Sequence, residues 1–103
     1  MALRIDKALS WPKRPIEEFR IAWDFTNDLE VGDSANAFEV KAFDAADESD
    51  VSATFLQGAS RTGNVVSVQV QGGTDAHAYL VRFQLGTTAG DLFQRVVRVG
   101  VNA

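Results

Sequence analysis

The sequence predicts an all-β fold, an immunoglobulin-like antiparallel β-sandwich of about seven strands. Three observations predict it. Apolar and polar residues alternate with period two in run after run, as in strands with one buried face. Clusters of Gly, Asn, Asp and Ser separate the runs at short intervals, as hairpin-connected strands require. No segment carries the apolar stripe of an amphipathic helix. The 103 residues suffice for one domain and one core. Apolar residues make up 46% of the chain, too many for a disordered polymer.

In chain order, residues 1–15 read as an extended N-terminal arm and residues 16–103 as the sandwich. Leu3 and Ile5 hint at a strand within the arm. Trp11-Pro12-Lys13-Arg14-Pro15 brackets two cations with two prolines, which remove amide donors and favour an extended chain. After Pro15, Ile16 to Phe19 has room for at most one turn of helix, because strand alternation follows at once. Phe19, Ile21, Trp23 and Phe25 share one face of the first run, and Phe38, Val40 and Ala42 one face of the second. Val51, Ala53 and Phe55 read as a third. Gly58 to Asn64 then reads as the connection to the run of Val66, Val68 and Val70. Gly72-Gly73-Thr74-Asp75 is a turn suited to positive φ. Tyr79, Val81, Phe83 and Leu85 follow, with Gly86 to Gly90 as a hairpin tip. In the last run, Leu92 to Val101, Arg95 falls on the face of Val97, Val99 and Val101; a bulge near Gln94 would reset the alternation. The expected core is Phe19, Ile21, Trp23, Phe38, Val40, Val66, Val68, Tyr79, Val81, Phe83 and Val99.

A Tyr near the start of the penultimate strand, with Asp75 four residues earlier, is similar to the tyrosine corner of immunoglobulin-like domains. Val81 stands where antibody domains place their second cysteine. Apolar packing of Val81 against residues such as Trp23 would replace the cross-sheet disulfide, since the chain has no cysteine.

Composition narrows the function. Without cysteine, disulfides and thiolate metal sites are excluded, and the chain suits a reducing cytoplasm or an assembly built there. No apolar run approaches the ~20 residues that span a bilayer. Residues 1–9 carry Arg4, Asp6 and Lys7 and lack the apolar stretch of a signal peptide. The net charge of −4 is uneven: +2 over residues 1–23, −8 over residues 24–50 and +2 over residues 51–103. Such a chain lacks the basic face that nucleic acid requires. The asymmetry suits acid-to-base contacts between neighbouring protein subunits.

No catalytic residue is assigned. His77, the only histidine, stands in a turn before a strand, and no nucleophile motif accompanies it. Asp44, Asp47, Glu48 and Asp50 form an acidic cluster without EF-hand spacing, which reads as a solvated loop. The glycines match no phosphate-loop pattern, so no cofactor or metal is expected. Trp11 and Trp23 are candidates for a sugar-stacking platform. Trp23 lies on an apolar strand face, however, and Trp11 beside proline suits protein contact better. Trp11, Lys13 and Arg14 are the expected partner-contact residues.

The order Trp11-Pro12-Lys13-x-Pro15, Glu18, Ala22-Trp23-Asp24 and Leu29-x-x-Gly32-Asp33 resembles the start of small tailed-bacteriophage structural proteins. The later order matches too: Val51-Ser52, Leu56-x-Gly58, Gly63, Gly72-Gly73-Thr74, Tyr79-x-Val81, Thr87-Thr88-x-Gly90 and a valine-rich last strand. The chain is similar to the fiber-to-tail adaptor family and related short virion proteins with an immunoglobulin-like sandwich. It departs from that pattern at Phe19, where Tyr is usual, and at Asp75-Ala76-His77. The resemblance implies a non-catalytic virion or prophage component, made in the bacterial host cytoplasm. Its partners would be tail, neck or fiber proteins, with a ring-forming homo-oligomer as an expected assembly and neither nucleic acid nor membrane as partner. The reading from another class is a carbohydrate- or cell-surface-binding module.

Overall fold

In the computed structural model, which describes residues 10–102, the alternation builds seven strands and one helical turn. They are β1 (Ser10–Lys13), β2 (Phe19–Asp24), β3 (Ala35–Asp44), α1 (Ser52–Phe55), β4 (Leu56–Thr62), β5 (Val65–Val70), β6 (Ala78–Thr87) and β7 (Leu92–Val101). One sheet has the order β1-β7-β6-β3 and the other β2-β5-β4. All pairings are antiparallel except β1 with β7, which run parallel. The inner faces meet in one core. Ile21, Phe55, Val66, Val68 and Val70 come from the three-stranded side, and Ala42, Val81, Phe83, Leu85, Val97, Val99 and Val101 from the four-stranded side. The fold is thus a sandwich of four strands on three.

Tyr79 is the pivot of the end where residues 71–77 join β5 to β6. It is 5% exposed. Its ring stacks on Phe55 at a centroid distance of 4.3 Å, and its hydroxyl accepts the Thr74 N–H at 2.8 Å. A tyrosine that reaches back to the backbone just upstream is the corner the sequence suggested. Gly73 lies beneath it with φ of 97°; a Cβ there would stand 2.8 Å from Val101 Cγ2 and 3.2 Å from the Phe55 ring. Val81 is fully buried in the core, against which Trp23 packs.

Four expectations are corrected. First, residues 52–55 form a helical turn, not a strand. The Val51 carbonyl accepts the N–H groups of Thr54 (3.1 Å) and Phe55 (2.9 Å), and Asp50 Oδ1 accepts both the N–H (2.9 Å) and the hydroxyl (2.6 Å) of Ser52. The turn still delivers Phe55 to the core but leaves Ala53 outside. Second, most of the stretch read as a connection is strand β4, and only Gly63 and Asn64 form the hairpin loop. Gly63 takes φ of 59°, which a two-residue loop demands of glycine, and a register shift between Gln57 and Ser60 absorbs Gly58. Third, β7 has no bulge at Gln94; its register with β6 is continuous from Gly86↔Leu92 to Ala78↔Gly100. Arg95 stays on the inner face at the rim, where Asp28 of the β2–β3 loop meets its guanidinium at 2.5 Å. Fourth, Phe38 is opposite Leu85 but remains 40% exposed and outside the core. It sits on an edge strand, and the facing sheet is one strand narrower. Phe19, Trp23 and Val40 are only partly buried, packed against the core from its margins.

Candidate interaction surface

The strand registers sort the loops into two poles. Residues 14–18, 45–51 and 71–77 gather at one, and residues 25–34, 63–64 and 88–91 at the other. At the first pole the three expected contact residues part company. Trp11 joins β1 through its backbone, opposite Val99, and Lys13 stands opposite Val101. That register turns Lys13 inward, and it is 2% exposed. Its ammonium donates to the carbonyls of Gly72 (2.6 Å), Arg14 (2.8 Å) and Pro15 (3.4 Å). Burial pulls its pKa below the usual lysine range, and the carboxylates of Glu17 and Glu18 oppose that pull. Lys13 therefore fixes the β1–β2 turn to the β5–β6 loop and presents no free charge. Arg14 is exposed, and its N–H donates to Glu17 Oε1 at 2.7 Å. Beyond it, Ile16 protrudes at 89% exposure. An open groove of about 410 Å³ runs between Pro12, Lys13, Arg14, Glu17 and Asn102.

The acidic residues of this pole are spent on the loop itself. Asp44 accepts the Ala46 N–H (2.9 Å) and faces His77 Nδ1 (3.0 Å), while Asp47 accepts the Ser49 N–H (3.0 Å). These bonds favour the ionised form and hold both carboxyls below the usual range, led by the Ala46 N–H for Asp44 and the Ser49 hydroxyl for Asp47. Asp50 is lowered likewise, chiefly by the Ser52 hydroxyl. Among the described residues no group of three or more His, Cys, Asp or Glu is placed to hold a metal ion. His77 is half-exposed and its partner is a loop carboxylate.

The opposite pole is a braced pair of loops. Asp33 Oδ1 accepts the Ser34 N–H (2.8 Å), the Thr88 hydroxyl (2.8 Å) and the Ala89 N–H (3.2 Å), which ties the β2–β3 loop to the β6–β7 turn. Phe25 N–H donates to the Asn64 carbonyl at 2.9 Å, adding the β4–β5 hairpin. The braced frame leaves Val31 fully exposed at its tip and Leu92 largely so. Sequence reasoning passed over Val31, because a single valine in a polar loop gives no periodic signal, and read Leu92 only as the start of the last strand.

Along the outer surface, Arg82 donates to Glu39 at 2.9 Å and lies over the Phe43 ring at 5.4 Å. No helix among the described residues is long and apolar enough to cross a membrane. The expectations for Leu3, Ile5 and the rest of residues 1–9 fall outside the described residues.

No curated protein matches the chain. The family model of the podophage GP4 fiber-tail adaptor protein gp77 matches residues 13–100, from the last residue of β1 to the penultimate residue of β7. The match therefore spans both sheets and both poles just described, and the chain belongs to the gp77 family of podophage fiber-tail adaptor proteins.

Proposed function

We propose that this protein is a non-catalytic adaptor of the virion, made in the host cytoplasm and joining tail or neck components to fiber components. The observation that carries the reading is the family match over residues 13–100. The architecture suits it. Loops braced by side-chain bonds offer rigid contact surfaces at low entropic cost, and exposed apolar tips at both poles give such contacts their anchors. The N-terminal segment is the element we assign to assembly, with Trp11 and Arg14 as contact residues and Lys13 holding the turn that follows β1. A ring of copies is the arrangement we expect.

The test is co-purification of the tagged chain with tail and fiber proteins of the same phage, beside a glycan array. Retention of a tail or fiber protein, lost when Trp11→Ala and Arg14→Ala are combined, is the expected result. Tight glycan binding with no virion partner would overturn the adaptor reading in favour of a carbohydrate-binding module.

A further inference from the structure

β2 is an edge strand, hydrogen-bonded only to β5. Phe25 N–H donates to the Asn64 carbonyl at 2.9 Å, and Thr62 faces Val65 across the two-residue hairpin loop of β4 and β5. These two contacts fix the parity of the ladder. A strand residue directs its N–H and C=O to the same side, and the side alternates along the chain. Phe19, Ile21 and Trp23 therefore aim their backbone groups at β5. Arg20, Ala22 and Asp24 aim theirs outward, and among the described residues nothing meets them. The side chains of the same three residues are exposed on the outer face of the sheet.

The other edges are less available. β1 has four residues and contains Pro12. β4 carries a register shift and Gly58 at φ of 64°. β3 is covered at its end, where Ser52 and Val51 occupy the outward groups of Ala42, and Ser49 and Glu48 those of Asp44. In its open stretch, a second β3 centred on Glu39 sets like charges directly opposite each other, which is destabilising. One centred on Val40 calls next on the occupied Ala42 groups. β2 runs for six residues without proline, glycine or register shift.

β2 is also complementary to itself. An antiparallel copy centred on Ala22 sets Ala22 opposite Ala22, Arg20 opposite Asp24 and Asp24 opposite Arg20. All of these residues aim their backbone groups at the new neighbour, so each pair can exchange both main-chain bonds. Opposite charges directly across an antiparallel pair are stabilising. Charges on an edge ordinarily keep strands apart. Here two of opposite sign, spaced evenly about Ala22, admit one register. Moving the centre to Ile21 or to Trp23 sets Arg20 or Asp24 against Ala22 and loses both charge pairs.

The domain itself uses part of this polar capacity. Arg20 Nη2 donates to the Gly58 carbonyl (2.8 Å), Ser67 Oγ (2.9 Å) and Ser60 Oγ (3.3 Å). Asp24 Oδ1 accepts the Thr26 N–H (2.9 Å) and hydroxyl (2.5 Å). Asp24 Oδ2 and Arg20 Nε and Nη1 take part in none of these bonds. On the inner face of the same register, Ile21 meets Trp23 of the second copy and Phe19 meets its Phe25. Phe19 and Trp23 are only partly buried at the margin of the core, and the added strand covers their open flank.

We infer that two copies pair through β2, antiparallel and centred on Ala22, joining their three-stranded sheets into one continuous sheet. Main-chain bonds supply the affinity of such strand addition, and the side chains select the register. The contact is isologous and closes at two copies, so a ring of copies needs a second contact elsewhere. The pairing involves residues 19–25 alone and stands independently of the adaptor reading.

Sedimentation velocity of the full chain from micromolar to millimolar concentration should show a monomer–dimer equilibrium. Arg20→Asp and Asp24→Arg each set like charges opposite each other in both outer pairs, and each should weaken dimerisation about tenfold or more. Mixed together, the two variants are complementary at both pairs and should form a heterodimer. The chain has no cysteine, so Ala22→Cys gives an independent readout. Mild oxidation should link its copies far faster than those of Gln57→Cys, which is exposed on β4. A parent that stays monomeric at millimolar protein, single variants that pair as the parent does, or equal linking of the two cysteine chains overturns the inference. Where a charge variant loses the parent's far-ultraviolet spectrum, the cysteine chains decide.

Discussion

Replacing Tyr79 by Phe removes one oxygen from a residue that is 5% exposed and leaves the ring on Phe55 in place. Among the described residues, the bond lost is the 2.8 Å contact from the Thr74 N–H. A neutral hydrogen bond contributes about 0.5–1.5 kcal/mol net, and a buried donor left unpaired costs about 1–3 kcal/mol. Thr74 is itself exposed, so water reaches part of the freed site, and the expected loss is about 1–2 kcal/mol. Set against a domain stability of about 5–15 kcal/mol, that is a sizeable share, lowering Tm by about 4–8 °C per kcal/mol. Urea denaturation followed by tryptophan fluorescence reads it as a lower midpoint at constant slope. A loss below about 0.3 kcal/mol at unchanged slope would refute the claim that the hydroxyl secures the β5–β6 loop.

Gly73→Ala should cost more than an ordinary glycine substitution, because the new Cβ meets Val101 Cγ2 at 2.8 Å from a left-handed backbone; thermal denaturation should show a fall of about 1–3 kcal/mol. Phe38→Ala should cost less than about 1 kcal/mol, whereas Phe83→Ala should cost about 3–5 kcal/mol; equal losses in urea would contradict the exposure difference between them. Asp24, Asp33, Asp44, Asp47 and Asp50 are all lowered, led respectively by the Thr26 hydroxyl, the Thr88 hydroxyl, the Ala46 N–H, the Ser49 hydroxyl and the Ser52 hydroxyl. A depressed carboxylate stabilises the fold above its unfolded pKa of about 3.9, and that contribution disappears as pH falls through the folded value. Stability in a pH series should therefore be level above about pH 5 and drop below about pH 4; a rise on acidification would reverse the sign.

Most of the sandwich was legible because β2, β5 and β6 each turn alternate residues toward the core. Tyr79 was legible because its position relative to the strand start carries the corner. The misread elements have a common cause in local ambiguity. Val51 to Phe55 alternates like a strand, yet Asp50 accepts the N–H and the hydroxyl of Ser52 and the chain takes one helical turn. β4 is built of glycine and small polar residues and has no periodic signal to find. Arg95 looked like a register error because its resolution, Asp28, lies far away in the chain. Lys13 looked like a surface cation, and only its alignment with Val101 reveals that it faces inward. The exposed edge of β3 was invisible for the same reason: which strands flank a sheet is decided by topology, not by the residues of the strand itself.

The parallel alignment of β1 with β7 sets how the domain bears load. Ser10, Trp11, Pro12 and Lys13 register with Arg98, Val99, Gly100 and Val101, and Asn102 N–H adds a bond to the Lys13 carbonyl at 2.9 Å. Tension applied at the start of β1 and the end of β7 runs along the shared ladder axis. It strains these bonds in shear, all together, rather than peeling them one by one. Four residues of edge strand thus form a clasp whose resistance to tension between Ser10 and Val101 depends on simultaneous rupture.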